Sequence, residues 1–262
     1  FLVVWAWAPG PFGPWDVRCR RVDAAAGTTS LSIPVIATID NETDPCASSE
    51  ATTADNEALV IWRDPAGIRG SQVTVSAGVD PVVLAPVLIG GGPLSQAPGI
   101  SKSGGAVGRH MVTWHEGFDA EIYAAVVDRN LAILAPATAM TTNTLEDTNA
   151  AVDGNGTSFV LAWQRGEPLS SRSNILMMRL TYGAGTISVA VPETPLEADP
   201  GQDEATPDVC FLGQKFGIVY REESASGPLF DDVYLWIVDP GTCERCGVRH
   251  LLDGLNATTN SN

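Results

Sequence analysis

The sequence predicts an all-β fold built from five repeated units, on three observations. The 262-residue chain contains five short apolar runs that each end in an aromatic residue and recur about every 50 residues. Each run is followed, after a loop, by a segment rich in β-branched residues that usually ends in Asp. No stretch keeps a helical period beyond a turn or two. Four short strands in such a unit, repeated around an axis, are typical of a β-propeller.

The apolar runs predict the second strand of each blade. They are Phe1–Trp5, Ala58–Trp62, His110–Trp114, Phe159–Trp163 and Phe216–Tyr220. A continuous apolar run of about five residues is expected for a strand that is covered on both faces. We therefore expect the terminal aromatic of each run to fill the gap between neighbouring blades.

The other three strands of each blade follow from weaker patterns. The segments predicted as third strands are Asp16–Asp23, Gln72–Asp80, Glu121–Asp128, Asn174–Thr181 and Asp232–Asp239. Fourth strands are predicted over Ser32–Thr38, Val82–Ile89, Ala132–Ala137, Ile187–Val191 and Val248–Leu252. Innermost strands are predicted over Glu50–Thr53, Ala97–Ser101, Asn149–Val152 and Ala205–Cys210. Turn residues such as Asp153-Gly-Asn-Gly156 follow the innermost strands and are typical of tight hairpins.

These assignments make residues 1–262 one propeller domain. Its blades span approximately residues 1–49, 50–96, 97–148, 149–204 and 205–262. The chain starts at the second strand of the first blade, so that blade lacks its innermost strand in chain order. Because exposed sheet edges favour aggregation, we expect something to complete this blade. The candidates are the tail from Leu255 to Asn262, a neighbouring domain of a longer protein, or another copy of the chain.

The composition argues against two classes of partner, nucleic acids and membranes. The formal charge is −16 and only two residues are lysine, which argues against nucleic acid as a partner. No apolar run is long enough for a membrane-spanning helix, so membrane insertion is not expected. The acidic, Lys-poor composition and five cysteines instead suggest a secreted or cell-surface protein. No cofactor is expected.

The cysteines suggest disulfides. By the repeat boundaries, Cys19 and Cys46 fall in the same unit and could pair. The pair Cys243 and Cys246, separated by two residues, favours a local disulfide or structural thiols. Zinc bound with the help of His250 is the alternative, although a closed zinc site needs four ligands and no second pair is present.

The repeat resembles those of large secreted bacterial surface proteins of the propeller type. The resemblance rests best on Phe1–Trp5 with Asp16–Asp23, and on His110–Trp114 with Glu121–Asp128. It implies extracellular binding or adhesion rather than a reaction. The chain departs from the pattern at Thr181, where the final Asp is missing, and at Tyr220, where Trp is replaced. We therefore expect the fourth blade to turn differently.

The residues that follow each aromatic predict a polar rim. The loops between second and third strands differ most in length and composition, and function usually resides in variable loops on a rigid scaffold. The residues predicted to bind a ligand on this face are Trp7, Trp15, Arg63, His115, Glu116, Arg165 and Arg221. Trp7 and Trp15 flank a Pro/Gly-rich loop and could stack on sugar rings. The alternative is that the charged residues are solvated strand ends that only form Arg–carboxylate pairs between blades.

Catalysis and metal binding are the competing hypotheses for this face. Glycoside hydrolysis needs two opposed carboxyl groups, which Asp64, Glu116 and Glu222 could supply from three blades. The sequence matches no catalytic motif, however. Asp40, Glu42 and Asp44 alternate in one loop and are weak candidates for a Ca²⁺ site, with solvated acids as the alternative.

The sequence-based hypothesis for function is a non-catalytic binding or adhesion propeller whose ligand is a glycan or a surface protein. The alternatives are a glycoside hydrolase acting on polysaccharide and a structural subunit of an extracellular assembly. All three use the same fold, so the arrangement of side chains on the rim has to distinguish them.

Overall fold

The structure is a computed structural model that describes residues 1–10, 13–23, 25–38, 40–48, 56–76, 78–168, 172–196, 203–223 and 231–253. It contains five antiparallel sheets arranged as the blades of a propeller, as the sequence predicts. Among the described residues, no helix is long and apolar enough to cross a membrane. A single turn of 3₁₀ helix, Gly105–Val107, is the one helical element in the same residues.

The strands follow one another from the axis outward within each blade. Blade 1 contains β1 (Leu2–Trp7), β2 (Asp16–Asp23), β3 (Thr28–Thr29) and β4 (Ile33–Ile36). Blade 2 contains β5 (Thr43–Ala47), β6 (Glu57–Asp64), β7 (Gly67–Thr74), β8 (Val82–Val83) and β9 (Val87–Gly90). Blade 3 contains β10 (Ser95–Ile100), β11 (Arg109–Glu116), β12 (Glu121–Asp128) and β13 (Ile133–Ala139). Blade 4 contains β14 (Asp147–Gly154), β15 (Ser158–Gly166), β16 (Ser173–Gly183) and β17 (Thr186–Pro195). Blade 5 contains β18 (Asp203–Phe211), β19 (Phe216–Glu223), β20 (Asp231–Val238) and β21 (His250–Asp253).

In blades 1 and 2 the outer position is shared by two short segments. Both β3 and β4 pair with β2, and both β8 and β9 pair with β7. Because β1 carries Trp5 opposite Arg18 of β2, it occupies the place of the second strand in the other blades. No strand among the described residues pairs with the other edge of β1, which agrees with the expected absence of an innermost strand there.

The recurring aromatic side chains lie between successive blades, as predicted. Trp62 packs with Val17 and Cys19 of blade 1, and Trp114 packs with Ile61 and Ile89 of blade 2. The equivalent residues of the next two blades, Trp163 and Tyr220, each pack against the preceding blade in the same way. All four are almost completely buried. The apolar faces between successive blades, from blade 1 to blade 5, are thus covered, and this burial is the main source of stability for a stack of thin sheets.

The Asp that ends most third strands caps the turn that follows. The Asp23 carboxylate accepts a hydrogen bond from the backbone N–H of Ala26 at 3.0 Å, and the Asp128 carboxylate accepts one from Asn130 at 2.8 Å. Blade 4 has Thr181 at this position, and its strand continues to Gly183 before a tight turn in which Gly185 has φ 82°. The prediction that blade 4 turns differently is therefore confirmed.

One predicted strand of blade 2 is misplaced, and a second falls on residues that the structure does not describe. The predicted innermost strand, Glu50–Thr53, lies outside the described residues, and the innermost strand of this blade is Thr43–Ala47. The predicted third strand, Gln72–Asp80, is wrong, because β7 begins at Gly67 and ends at Thr74. Only Pro65 and Ala66 separate β6 from β7, so the expected loop is a two-residue turn. Blade 2 therefore starts several residues earlier than the sequence suggested.

The disulfide predictions are not supported, because the five cysteines are free thiols. Cys19 and Cys46 lie on different blades and on opposite sides of blade 2: Cys19 packs in the core between blades 1 and 2, and Cys46 against the core between blades 2 and 3. Burial raises the pKa of Cys19 to about 11, which makes this thiol unreactive. Cys243 is buried against blade 4, whereas Cys246 is partly exposed, and no group of three potential metal ligands forms around them in the described chain.

Candidate active site

The rim predicted from the sequence is a set of equivalent positions at the ends of the second strands. The second residue after each buried aromatic is Asp64, Glu116, Arg165 or Glu222, according to the blade. The register places Ser95, Asp147 and Glu204 opposite the last three. In blade 2, Thr43 pairs with Arg63, so Glu42 is the residue that faces Asp64. The four inner residues are all buried, which makes this one structural position repeated in four blades.

In blade 4 the position is closed by hydrogen bonds. Asp147 is 0% exposed. Its carboxylate accepts a bond from Nε1 of Trp163 at 3.0 Å and two from Arg165 at 2.6 and 2.8 Å. Arg165 also donates to Glu193 at 2.9 Å. Arg165, which was predicted to bind a ligand, thus joins two carboxylates of its own blade, and not carboxylates of a neighbouring blade.

In blades 3 and 5 the rim residues also have partners on their own blades. Glu116 accepts a hydrogen bond from Nε1 of Trp114 at 3.3 Å. Glu222 accepts one from Arg249 at 2.6 Å, and Arg221 pairs with Glu223 at 2.8 Å. The three carboxylates proposed for catalysis, Asp64, Glu116 and Glu222, are therefore each engaged separately.

Blade 2 is different, because a cavity of about 450 Å³ opens beside its strand ends. The cavity lies where the loop between β1 and β2, the links between blades and the β6–β7 turn meet. Its wall includes Trp15, Asn41, Thr43, Arg63, Asp64 and Pro93. Three of the sequence-predicted residues, Trp15, Arg63 and Asp64, are thus brought together in one concave site, which is where ligands usually bind.

Glu42 lies between two residues of the cavity wall and is 2% exposed. Its Oε1 accepts a hydrogen bond from the hydroxyl of Thr38. Its Oε2 is buried without a hydrogen-bond partner among the described residues. Burial raises the pKa of Glu42, and the negative charges of Asp16, Asp40 and Asp64 raise it further, against the opposing effect of the Thr38 bond. Burial and the neighbouring carboxylates thus disfavour the charged form of this side chain.

Asp64 is oriented by donors from its own hairpin. Its Oδ1 accepts the backbone N–H groups of Ala66 at 2.7 Å and Gly67 at 3.1 Å, and its Oδ2 pairs with Arg69. Because the turn has only two residues, the carboxylate is fixed at the end of β6 and against the cavity. Glu42 and Asp64 together form a pair of carboxyl groups in different environments, a pattern typical of acid–base sites.

Arg63 and His115 lie next to this pair. Arg63 is half-buried and lines the cavity, and the described chain provides it with no hydrogen bond and no ion pair. His115 is 7% exposed, and its Nδ1 has no hydrogen-bond partner in the same part of the chain. Burial lowers the pKa of His115, and the charge of Arg63 lowers it further, so the imidazole is held neutral.

The two tryptophans predicted to stack on a ligand are separated. Trp15 is 46% exposed and lines the cavity. The backbone N–H of Trp15 donates to Oδ1 of Asn41 at 3.1 Å, which ties the loop of blade 1 to the link that leads into blade 2. Trp7 ends β1 and is covered by the guanidinium of Arg18 at 4.8 Å from the ring centre. Trp7 is not among the cavity-lining residues.

The residues considered for calcium do not form a cation site in the described chain. Asp40 and Asp44 are exposed, whereas Glu42 turns inward toward Thr38. No group of three or more His, Cys, Asp or Glu side chains in the described ranges is close enough to hold a metal ion. Glu42 is instead buried beside the cavity, between the wall residues Asn41 and Thr43 in sequence. Sequence reasoning missed this role, although the signal was present in the position of Glu42 one residue before a strand that pairs with Arg63.

Comparison with known proteins identifies the fold but not a family. No protein-family model matches the chain, and no curated protein matches it. The solved structures similar to it include the GH93 α-L-arabinofuranosidase of Fusarium graminearum in complex with arabinobiose, with a TM-score of 0.50 and 11% identity over 79% of this chain. The chain spans 65% of the length of that enzyme. An endo-arabinase from Bacteroides thetaiotaomicron VPI-5482 aligns with a TM-score of 0.50 and 14% identity over 82% of this chain and 81% of its own.

These neighbours correct the leading hypothesis for function. The expectation of a non-catalytic binding or adhesion module rested on a resemblance to surface-protein repeats. The solved propellers that share the fold are instead glycoside hydrolases, so that expectation is contradicted. At such low identity the likeness establishes the architecture only, and the side chains of the cavity have to carry the argument for a reaction.

Proposed function

We propose that the protein is a glycoside hydrolase-like enzyme that cleaves polysaccharide at the cavity between blades 1 and 2. The observation that carries the proposal is the carboxylate of Asp64 on the wall of that cavity, with the buried carboxyl group of Glu42, whose pKa is raised by desolvation, opposite it in the strand register. Hydrolysis of a glycosidic bond needs one carboxyl group that is protonated and a second that is ionised.

The two carboxyl groups take different roles in this proposal. Protonated Glu42 donates its proton to the glycosidic oxygen as the bond to the anomeric carbon breaks, so the leaving sugar departs as an alcohol. Asp64 acts at the anomeric carbon, either directly or by taking the proton of the attacking water. Measuring which anomer is released first distinguishes these two routes, because direct attack retains the configuration and activated water inverts it.

Trp15 supports the same assignment. Its half-exposed indole lies on the cavity wall, where an aromatic face can stack on a sugar ring. Asn41 and Thr43 add polar groups on the same wall. The proposal includes an extracellular location, where a polysaccharide substrate would be met, in keeping with the acidic composition.

The test is release of reducing ends from a panel of polysaccharides that includes arabinan. Glu42→Gln and Asp64→Asn should each reduce kcat by at least about 100-fold, the scale on which acid–base groups contribute. Glu193→Gln, an exposed acid of blade 4, is the matched control and should retain activity. If the folded wild-type protein cleaves no polysaccharide in the panel, the proposed hydrolase activity is refuted. Full activity in Glu42→Gln would refute the assignment of the acid.

A further inference from the structure

The strongest unexplained feature of the cavity is an arginine without a counter-ion. The chain has more than twice as many acidic as basic side chains, and neighbouring arginines use them: Arg69 pairs with Asp64, and Arg165 with Asp147. Arg63 lines the cavity and has no hydrogen bond or ion pair within the described chain. A half-buried guanidinium left unpaired at the mouth of a cavity has donors available for a ligand.

The surroundings of Arg63 also select against a cationic or purely apolar ligand. The neutral His115 beside it has a buried Nδ1 without a hydrogen-bond partner in the described residues. The opposite part of the wall presents the half-exposed ring of Trp15. The cavity wall thus offers a fork of cationic donors and an aromatic face. A second unsatisfied nitrogen lies on the buried ring of His115, whose pKa is lowered by the charge of Arg63.

From this arrangement we infer that the cavity binds an acidic sugar, with the guanidinium of Arg63 paired to the carboxylate of a uronic acid residue. The inference rests on the proposed glycosidase function, since it names the substrate class of the same site. A planar guanidinium matches a carboxylate through two parallel hydrogen bonds. Trp15 would then stack on the ring that carries the carboxylate, and Asp64, already paired with Arg69, would not compete for Arg63.

The negative charge of the protein means that an acidic sugar has to be recognised by a local contact. A net charge of −16 repels an acidic polysaccharide at long range. Preference for a uronate must therefore come from a short-range contact with a specific cation, and Arg63 is the cation on the cavity wall that has no other partner in the described ranges. A mutation at Arg63 should change selectivity more than it changes folding, because this side chain holds no other residue in place there.

Binding of trigalacturonate and of its fully methyl-esterified form tests this directly, since esterification removes the charge of each carboxylate and adds only a methyl group. The titrations use Glu42→Gln, so that no turnover occurs, and follow calorimetric heat. We expect at least tenfold tighter binding of the acid than of the ester. Adding Arg63→Met should abolish the difference, and adding Arg63→Lys should retain part of it. Adding Arg109→Met, on a guanidinium that stacks on Tyr182 of blade 4, is the matched control and should change nothing.

Three results would overturn the inference. The first is equal affinity for the acid and the ester. The second is an acid preference that survives Arg63→Met. The third is tighter binding of a sulfated trisaccharide than of trigalacturonate, which would assign the anion to a sulfate ester instead. Cleavage of neutral arabinan without any acid preference would refute only this inference, whereas acid-selective binding without cleavage of any polysaccharide by the wild type would refute only the hydrolase.

Discussion

Blades 2 and 4 place different chemistry at one repeated position. In blade 4 the buried carboxylate of Asp147 accepts hydrogen bonds from Trp163 and Arg165. Both the indole N–H and the carboxylate therefore have partners. In blade 2 the equivalent Trp62 has a buried Nε1 with no partner among the described residues, and Glu42 has an unpaired Oε2. Buried polar groups are normally satisfied. The position of Asp147 in blade 4 therefore serves stability, whereas the equivalent position of Glu42 in blade 2 keeps unsatisfied polar atoms beside a cavity.

The difference arises from one residue in each blade. The outer partner of the buried acid is Arg165 in blade 4, which provides a positive charge, and Asp64 in blade 2, which provides a second negative charge. Two carboxyl groups that face each other cannot both ionise easily. Blade 2 thus places a buried acid of raised pKa opposite a second carboxyl group, whereas blade 4 keeps an ion pair. Strain of this kind is expected at functional sites.

The largest expected effect is a loss of stability on changing Asp147, the buried acid of blade 4. Asp147→Asn removes the charge that holds Arg165 and should lower the free energy of unfolding by about 3–5 kcal/mol, the cost of breaking a buried ion pair. Denaturant unfolding followed by fluorescence measures it. Glu193→Gln, which removes only the exposed partner of the same arginine, should cost no more than about 1 kcal/mol. Equal losses in the two variants would show that blade 4 is not closed by Asp147.

A smaller effect is expected on ligand binding at the cavity beside blade 2. Trp15→Ala should raise KM about three- to tenfold with little change in kcat, because a stacked ring contributes roughly 0.5–1.5 kcal/mol beyond its burial. Steady-state kinetics on the best polysaccharide substrate measures it. Trp7→Ala provides the matched control, since Trp7 stacks on Arg18 of the first blade and lies away from the cavity. If both variants raise KM equally, the cavity is not the binding site.

The smallest effect is on the pH dependence of stability. The pKa of Glu42 is raised in the folded state, so its protonated form stabilises the fold at low pH, and this contribution is lost as the pH rises through that pKa. Glu42→Gln should therefore match the wild type at acidic pH and become more stable than it near neutral pH. Thermal unfolding across this range shows the sign. A variant that is less stable at neutral pH would mean that ionised Glu42 is held by partners.

Much of the fold could be predicted because burial leaves a pattern in the sequence. The strands Asp16–Asp23 and Glu121–Asp128 end at the predicted residues, since their β-branched side chains and terminal Asp mark both limits. The innermost strand Thr43–Ala47 escaped prediction because it contains Pro45 and an Asp44 with φ 52°, both of which signal turns. Its register shift between Thr43 and Cys46 shows how a bulge accommodates them.

The site was less predictable for a related reason. Asp64, Arg63 and Trp15 were identified from their positions after a strand or in a loop, and they do line one cavity. Glu42 was assigned to a weak calcium loop, because alternating acids look solvated when burial is unknown. Sequence spacing also placed Cys19 and Cys46 in one repeat, whereas the early start of blade 2 puts them on different sheets. Both errors follow from the single misplaced strand.

The most direct test of the account is a crystal structure of the Glu42→Gln variant soaked with an oligosaccharide that the wild type cleaves. The account predicts a sugar ring on Trp15, with a glycosidic oxygen within hydrogen-bond distance of the side chain at position 42 and the anomeric carbon facing Asp64. An oligosaccharide bound at the strand ends of blade 4 instead, or at any place that leaves the Trp15 cavity empty, would contradict it.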